Sequence, residues 1–482
     1  MKKKYVNLNK NVDENFSPFS PLSNLSNLSN NDKFYLHSLG CDKNLVDSEI
    51  MLGLLKEKGY TITAEPSQAK MIVVNTCGFI EEAVEEGINT ILEMSTYKDE
   101  KIGCCKTLII TGCMAQRYRS EIAKTIPEVD KIVSTAEFPS IIGKSDKNAA
   151  LDILDFSEKR MPTVPMHVAY VKISEGCDNN CTYCTIPSIK GKYRDREFNS
   201  IITECKRLAE NGAKELVLVA QDTARYGTEL YARPRLHELL LKISEIPQIT
   251  WVRVMYAYPE HIYADLINTI ANTAKIAKYI DMPIQHSNNR IIKQMGRKSN
   301  TADLLTLTEN LRQNGIAVRT TLITGFPGET QAEFADMCKF IKQVQFRHLG
   351  VFAYSQEKGT PAAKMPGQIA KSEKLARKNK LLALQSEISQ KNNAKLIGET
   401  LKIMVDGIVD KKDEKDENIE KTAYSGRSQY DAYDVDGAVF FDAPVQLMSG
   451  DIVKIKILQA TNYDLYGEFC GIITDEVSCV GT

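Results

Sequence analysis

Cys177, Cys181 and Cys184 fall at the spacing C-x3-C-x2-C within EGCDNNCTYCTIPSIKGKYRDR, residues 175–196. Each gap is too short for a strand or a full helix, so the three thiols share one tight loop and can converge on a single metal centre. Soft thiolates select iron–sulfur clusters, zinc or copper(I). The common zinc and electron-transfer frameworks use four ligands, often as paired C-x2-C elements, whereas this loop offers three. A cubane held by three protein thiolates keeps one iron open to a substrate. A catalytic 4Fe–4S cluster is the chemistry these residues point to. A structural zinc loop and a set of buried free cysteines are the blander alternatives. Three thiols in eight residues are hard to explain as core packing, although free Cys is often buried.

Three other cysteines are regular in spacing rather than close. The strand-like runs FYLHSLGC (34–41), MIVVNTCG (71–78) and TLIITGC (107–113) each close on a cysteine beside a glycine. Cys41, Cys77 and Cys113 are separated by 36 residues and 36 again. A βαβ unit takes about 30 residues or more, so the spacing predicts three successive βα units. Between them, Val46, Ile50, Leu54 and Leu55, then Phe79, Ile80, Ala83, Val84, Ile88, Ile91 and Leu92, recur at helical spacing. Asp42 or Asn44 is a candidate cap for the first helix. Parallel strands end on one edge of their sheet, where ligand sites of open α/β sheets lie. The three cysteines can therefore meet there as a second three-thiolate site, the alternative being a chance set of buried thiols. Cys104 and Cys105 precede the third strand and stay outside the site.

The elements that must position these residues need several domains. A chain of 482 residues is too long for one core. Its 61 basic and 62 acidic side chains nearly cancel, which excludes a nucleic-acid polycation. Twelve cysteines, clustered in short motifs, suggest metal work in a reducing compartment rather than a disulfide scaffold. No apolar run reaches the ~18 residues of a membrane span. The basic start at Met1 is followed by no apolar signal core. The expectation is a cytoplasmic, soluble, multidomain enzyme with no membrane partner.

Residues 1–32 are rich in Asn and Ser, with a triple Leu-Ser-Asn repeat, and are expected to be a disordered tail. The first α/β domain is expected over 33–150. A linker marked by Pro162 and Pro165 follows, between about 152 and 169. A second domain, 163–395, begins with the strand HVAYVKIS (167–174), which leads straight into the cysteine loop. Further strands are predicted in 215–227, 251–259, 277–286, 317–330 and 348–355, with helices over 302–313 and 331–344. Residues 368–397 read as one helix with seven Lys or Arg and two Glu. Leu375, Leu381, Leu382 and Leu384 lie on or near one of its faces, and it is expected to be a basic, solvated connector. Five short strands in 396–475, separated by turn residues, predict a small antiparallel barrel.

C-x3-C-x2-C with Tyr183 before the last cysteine resembles the radical S-adenosylmethionine superfamily. The six strands of 167–355 resemble its partial (β/α)6 TIM-like barrel, whose sites sit at the C-terminal strand ends. SGDIVKIKILQATNYDLYGE (449–468) resembles the end of a TRAM domain, an OB-like barrel usually associated with RNA. An open parallel α/β domain with three edge cysteines, a radical barrel and a TRAM-like barrel, in that order, match the methylthiotransferases. SLGCDKNLVDSE (38–49) and CTIPSIKGKYRDR (184–196) look like the RimO branch, which modifies an aspartate of small-subunit ribosomal protein twelve. That branch usually has Pro where this chain has Asp42 and Arg where it has Lys190.

The resemblance implies two 4Fe–4S clusters and S-adenosylmethionine. Cys177, Cys181 and Cys184 would hold the radical cluster, and Cys41, Cys77 and Cys113 an auxiliary cluster carrying the sulfur. One S-adenosylmethionine would methylate that sulfur. A second would give the 5′-deoxyadenosyl radical that takes a hydrogen from the aspartate β-carbon. Besides Tyr183, it places Gln221 and Asp222 near the methionine end of the cofactor, Gln285 and His286 near the ribose, and Gly325 and Pro327 of TGFPGE near the adenine. His286 reads equally as a satisfied core imidazole, and TGFPGE as a plain strand-to-helix turn. Arg194 and Arg196 either pair with carboxylates or lie on a solvated face. The partners implied are ribosomal protein twelve, free or in the ribosomal subunit, and an electron donor.

Residues 401–482 hold 16 Asp or Glu and 8 Lys or Arg. Phosphate contacts dominate nucleic-acid affinity, so this acidity disfavours direct nucleic-acid binding and favours a basic protein. Three readings compete: a tRNA adenosine methylthiotransferase, a non-catalytic iron–sulfur carrier or scaffold, and an RNA-binding module with degenerate metal loops. The carrier leaves the barrel rim unexplained, and the six intact cysteines argue against the RNA-binding module.

Overall fold

The structure is a computed structural model that describes residues 31–142, 153–163, 166–409 and 422–473. The expected tail lies outside these residues except at its end. There Asp32 is buried and pairs with Lys70 at 2.6 Å, so the folded chain begins slightly before residue 33.

The first sheet contains β1 (Lys33–Ser38), β2 (Thr61–Ile62), β3 (Met71–Thr76), β4 (Thr107–Gly112) and β5 (Lys131–Ile132). Its order is β2-β1-β3-β4-β5, and every pairing is parallel. All six residues of β3 are buried, as a central parallel strand covered on both faces requires. The edge strands β2 and β5 span two residues each, too few to leave a period in the sequence. Helices Asp42–Glu57 and Glu81–Ser95 connect β1 to β2 and β3 to β4. The first is capped by neither expected residue. Cys41 occupies the N-cap without a side-chain cap bond, because the Asn44 amide is turned inward onto the strand ends.

Over residues 153–163 the expected linker is a packed tie, its marker Pro165 lying outside the described residues. Residues Ile153–Lys159 form a short 3-10 segment so close to the first helix that a Cβ on Gly53 would lie 1.6 Å from the Lys159 carbonyl. The fully buried Arg160 guanidinium then bridges Glu49 at 2.6 Å and Glu204 at 2.9 Å. Its partners lie far away in sequence, so proline and pattern change alone suggested only a linker.

The central domain contains β6 (Val168–Lys172), β7 (Ser174–Glu175), β8 (Arg194–Asp195), β9 (Glu215–Val219), β10 (Trp251–Val254), β11 (Ile276–Asp281), β12 (Ala317–Thr324) and β13 (His348–Ala353). β7 and β8 form a small antiparallel pair beside the cysteine loop. The other six form an open sheet in the order β13-β12-β11-β10-β9-β6, parallel throughout. This sequential parallel arrangement puts all six C-terminal ends on one rim. The helix Lys371–Ala394 is more than a solvated connector, since it packs on the edge strand β13. Its buried face runs through Arg377, Leu381, Gln385 and Ile388, whereas Leu375 is exposed. Of the expected leucines, Leu381 is fully buried and Leu382 and Leu384 pack partly buried against the core, and polar contacts add to them: Gln385 donates to the Phe346 carbonyl at 2.9 Å, and Arg377 pairs with Glu329 at 2.7 Å.

The last domain contains β14 (Thr400–Ile408), β15 (Thr422–Ser428), β16 (Val439–Ala443), β17 (Ile452–Ala460) and β18 (Leu465–Ile472). They close into a barrel in the order β14-β15-β16-β18-β17. The β16–β18 seam is parallel and the other four are antiparallel. Val453, Ile455 and Ile457 of β17 point inward while Lys454 and Lys456 point out. This barrel seats against the N-terminal part of the central sheet. Arg427 pairs with Glu215 at 2.5 Å, Asp431 with Arg347 at 3.1 Å, and the Tyr279 hydroxyl donates to Asp436 at 2.8 Å. Asp406 also answers Arg427 and His167. Part of the acidity that pointed toward a basic partner is thus neutralised inside the molecule, while residues 410–421 and 474–482 lie outside the described residues.

Candidate active site

The cysteine loop follows β6 and β7 on the rim. Its start and its middle are held by glycines that no other residue could replace without movement. Gly176 (φ +79°) would place a Cβ 2.1 Å from the Lys192 carbonyl, and Gly296 (φ +75°) one 2.5 Å from the Asn180 carbonyl. The Cys177 amide donates to Gly191 at 3.1 Å, Thr182 to Met295 at 3.0 Å and Ala362 to Thr182 at 2.9 Å. Cys177 and Cys181 are buried and Cys184 is partly exposed. Burial pushes the Cys177 thiol up to about 11 and the Cys184 thiol up to about 12. The Tyr258 hydroxyl stands 2.6 Å from Cys181 Sγ. Arg297 lies 3.8 Å above the Tyr258 ring and holds Glu260 through two contacts of 3.2 Å.

The second set is assembled by topology. Cys41, Cys77 and Cys113 follow β1, β3 and β4, three adjacent strands of one sheet, at their common C-terminal edge. A Cβ on Gly40 would lie 3.3 Å from Cys77 Sγ, so the turn bearing Cys41 closes directly on Cys77. Asn44 stitches the strand ends together. Its amide donates to the Leu39 carbonyl at 2.9 Å and the Thr76 carbonyl at 3.1 Å, and its oxygen faces Cys113 Sγ at 3.9 Å. Burial lifts Cys77 above the ordinary thiol value and Cys113 up to about 12, with the charge of Lys190 opposing the shift at Cys113. Cys104 and Cys105 lie before β4, at the opposite end of that strand.

A buried ion cluster lies between the two sets. Lys172 pairs with Asp47 and, at 2.8 Å, with Glu175. Lys190 reaches Asp47 at 3.2 Å and Glu175 at 3.4 Å. All four side chains are at most 7% exposed. They join the first helix of the N-terminal sheet to β6, β7 and the segment after Cys184. Burial opposes ionisation of Glu175, but Lys172 and Lys190 outweigh it and hold its carboxyl far below the usual range. A cavity of about 260 Å³, lined by Cys113, Glu175, Lys190 and Arg194 among others, opens beside this cluster.

The rim candidates separate. The Gln221 amide donates to Glu175 at 2.6 Å, and its oxygen is buried without a partner. Gln285 is held in the left-handed region (φ +69°) and likewise has a buried, unpartnered side-chain oxygen. Asp222 is fully occupied: it accepts from Asn179 at 3.1 Å and the Tyr258 amide at 3.3 Å, and contacts His261 at 2.6 Å. It therefore ties the cysteine loop to the turn after β10. His286 is a buried imidazole that is only half satisfied: Nδ1 takes the Asn288 amide at 2.9 Å, whereas Nε2 faces Glu329 at 3.6 Å and has no hydrogen-bond partner. Gly325 (φ +73°) faces the connecting helix, where a Cβ would meet Lys374 at 2.4 Å. Its amide and that of Phe326 donate to Glu329, and Pro327 continues this turn. Tyr183 packs in one cluster with Met295, Phe326 and Tyr354. Arg196 is structural, buried against Glu204 and Ser157, whereas Arg194 is exposed.

Among the described residues, no three His, Cys, Asp or Glu side chains converge as the ligands of a single ion would; a multi-iron cluster is larger and does not need that convergence. Three thiols per site suit such a cluster. The unpartnered oxygens of Gln221, Gln285 and Thr324, buried along the rim, suit a polar cofactor. The sequence reading missed Asn44 as the stitch of the strand ends, Tyr258 against Cys181, and the Asp47–Lys172–Glu175–Lys190 cluster. Only the YP pair after β10 gave any signal, as a strand-ending turn.

Comparison with known proteins follows the same division. Residues 33–134 match the Uncharacterized protein family UPF0004, 171–341 the Radical SAM superfamily, and 397–470 the TRAM domain. A Clostridium acetobutylicum protein named ribosomal protein uS12 methylthiotransferase RimO is 46% identical over 447 residues, covering 90% of this chain and 97% of its own. Proteins of the same name from Lachnoclostridium phytofermentans and Clostridioides difficile are 44% and 43% identical, each over 90% of this chain and 99% and 98% of theirs. Among solved structures, the radical S-adenosylmethionine methyltransferase TsrM from Kitasatospora setae matches with a TM-score of 0.49 and 12% identity, over 67% of this chain and 73% of that one.

Proposed function

The chain belongs to the RimO family of radical S-adenosylmethionine methylthiotransferases, and on that premise we propose that it adds a methylthio group to the β-carbon of an aspartate in ribosomal protein uS12. The observation that carries this reading is the pair of three-thiol sites on the C-terminal edges of two parallel sheets, joined by a buried ion cluster. Cys177, Cys181 and Cys184 would hold the radical cluster, and Cys41, Cys77 and Cys113 the auxiliary one. S-adenosylmethionine would lie along the rim near Tyr183, Gln221 and Gln285, with Asp222, His286, Gly325 and Pro327 supporting the turns around it. When bound, these groups supply a hydrogen-abstracting radical and the sulfur to be transferred.

The protein's share is placement and exclusion of water. Asp222 fixes the cysteine loop to the turn after β10 through Asn179, the Tyr258 amide and His261. Glu175 holds the Gln221 amide, which leaves the Gln221 oxygen aimed as an acceptor. The thiols of Cys77, Cys113, Cys177 and Cys184, lifted by burial, stay protonated at neutral pH until a metal takes them, so loading releases protons. In this reading 33–150 carries the auxiliary site, 163–395 the radical site, and 396–475 helps to seat the substrate protein.

Mass spectrometry of uS12 and of tRNA, from cells with and without the gene, tests the proposal. A methylthio group on the uS12 aspartate that disappears with the gene is expected. A change confined to tRNA adenosine moves the protein to the other methylthiotransferase branch. A change in neither contradicts the proposal.

A further inference from the structure

Tyr256, just after β10, is a bulky residue in the left-handed region (φ +61°), where a large side chain is a genuine outlier. The strain is held from both sides. Its amide donates to Asp281 at 3.2 Å, which Arg319 pairs in turn at 3.2 Å. Its carbonyl accepts from Thr223 at 3.0 Å. Such over-determined strain clusters at functional sites. Here it aims the side chain out of the central domain and onto the turn bearing Cys41. The Tyr256 hydroxyl donates to Asp42 at 3.3 Å, and Lys43 lies 3.2 Å over the ring while pairing with Asp42 at 3.1 Å. Lys43 is 14% and Asp42 9% exposed, so the contact is largely shielded from solvent, where cation–π attraction strengthens.

We infer that Tyr256, Asp42 and Lys43 form a latch between the domains, in which Tyr256 is a positioning residue that fixes the Cys41 turn over the barrel rim. Cys41 needs one. It is the exposed member of its set and sits at a helix N-terminus with no side-chain cap bond, whereas Cys113 is buried and faces Asn44. The charges of Asp42 and Lys43 cancel, so the latch adds no net charge beside the thiol. Asp42 is also the position where the chain departs from the proline of the branch it resembles.

The latch stands on geometry alone; its value for methylthio transfer rests on the proposed function. Tyr256→Phe removes the hydroxyl and keeps the ring, and Asp42→Asn removes the charge and keeps the size. In the metal-free protein, hydrogen exchange of the first helical turn after Cys41 should rise about fivefold in either variant, the scale of one lost hydrogen bond, with no change around Cys177. In the loaded enzyme, methylthio transfer should fall more than 5′-deoxyadenosine release. Unchanged exchange in both variants overturns the latch. Faster exchange with transfer and cleavage falling equally overturns the positioning role. Full transfer in a Cys41→Ala control would instead overturn the reading of Cys41 as an auxiliary-cluster ligand, leaving the latch intact.

Discussion

Two sets of three thiols are built in opposite ways. Cys177, Cys181 and Cys184 share one short loop, so their spacing is set along the chain itself, and bonds to Gly191, Met295 and Ala362 then tie the loop to its surroundings. Cys41, Cys77 and Cys113 come from three strands and meet only because β1, β3 and β4 are neighbours and parallel. The local set is robust to small movements of the fold. The distributed set inherits every error in sheet register and domain placement, and it has further supports: Asn44 across the strand ends, and the Lys172–Lys190 cluster that ties it to the local set.

Breaking those supports should separate the sets. The largest effect is expected for Asn44→Ala. It leaves the Leu39 and Thr76 carbonyls without their donor, at about 1–3 kcal/mol for each buried unsatisfied group. Iron retained after reconstitution should fall toward that of one cluster, with the S-adenosylmethionine-dependent signal preserved; loss of both clusters together would show that the sets are not independent. Glu175→Gln should destabilise the domain junction by about 3 kcal/mol, since breaking a buried ion pair leaves an uncompensated charge, read as a lowered denaturation midpoint. Because the Glu175 carboxyl titrates below its ordinary value, its contribution is present at neutral pH and is lost only as pH falls through and below the carboxylate range.

The third expected effect is common to both sets. Thiols pushed up to about 11 at Cys177 and about 12 at Cys113 favour the folded state only while an unfolded thiol is still protonated. Stability of the metal-free protein should therefore be complete below the ordinary thiol value and decline as pH rises past about 9. The loaded protein should lack this decline, because coordinated thiols are already deprotonated. Thermal melts of both forms across that range check the sign. Smallest is Arg290→Ala. Arg290 pairs with Glu333 on the surface and holds its carboxyl down at about 2. Solvent screening should keep the change within about 1 kcal/mol, with neither set of thiols affected.

The same contrast explains what the sequence could tell. The local loop was legible from C-x3-C-x2-C. The distributed set was legible because one cysteine per βα unit repeats at the period of the fold. The six central strands were readable as apolar runs ended by turn residues. What joins the domains was not. Glu49 with Arg160, Asp47 with Lys172 and Lys190, and Glu215 with Arg427 pair residues more than a hundred positions apart, and ion pairs leave no local period. The left-handed residues Tyr256 and Gln285 were invisible for a related reason, since neither is a residue type that advertises a positive φ. Asp222 was read as a cofactor contact because its place on the rim is visible in sequence, while its three protein partners are not.

The central claim is that the two sets of thiols serve different steps, and parallel product analysis of Cys177→Ala and Cys77→Ala tests it most directly. With reductant, S-adenosylmethionine and uS12, the first variant should form neither 5′-deoxyadenosine nor methylthiolated uS12. The second should still release 5′-deoxyadenosine while forming no methylthiolated uS12. Methylthiolated uS12 from either variant, or the same profile of lost products from both, would contradict the account.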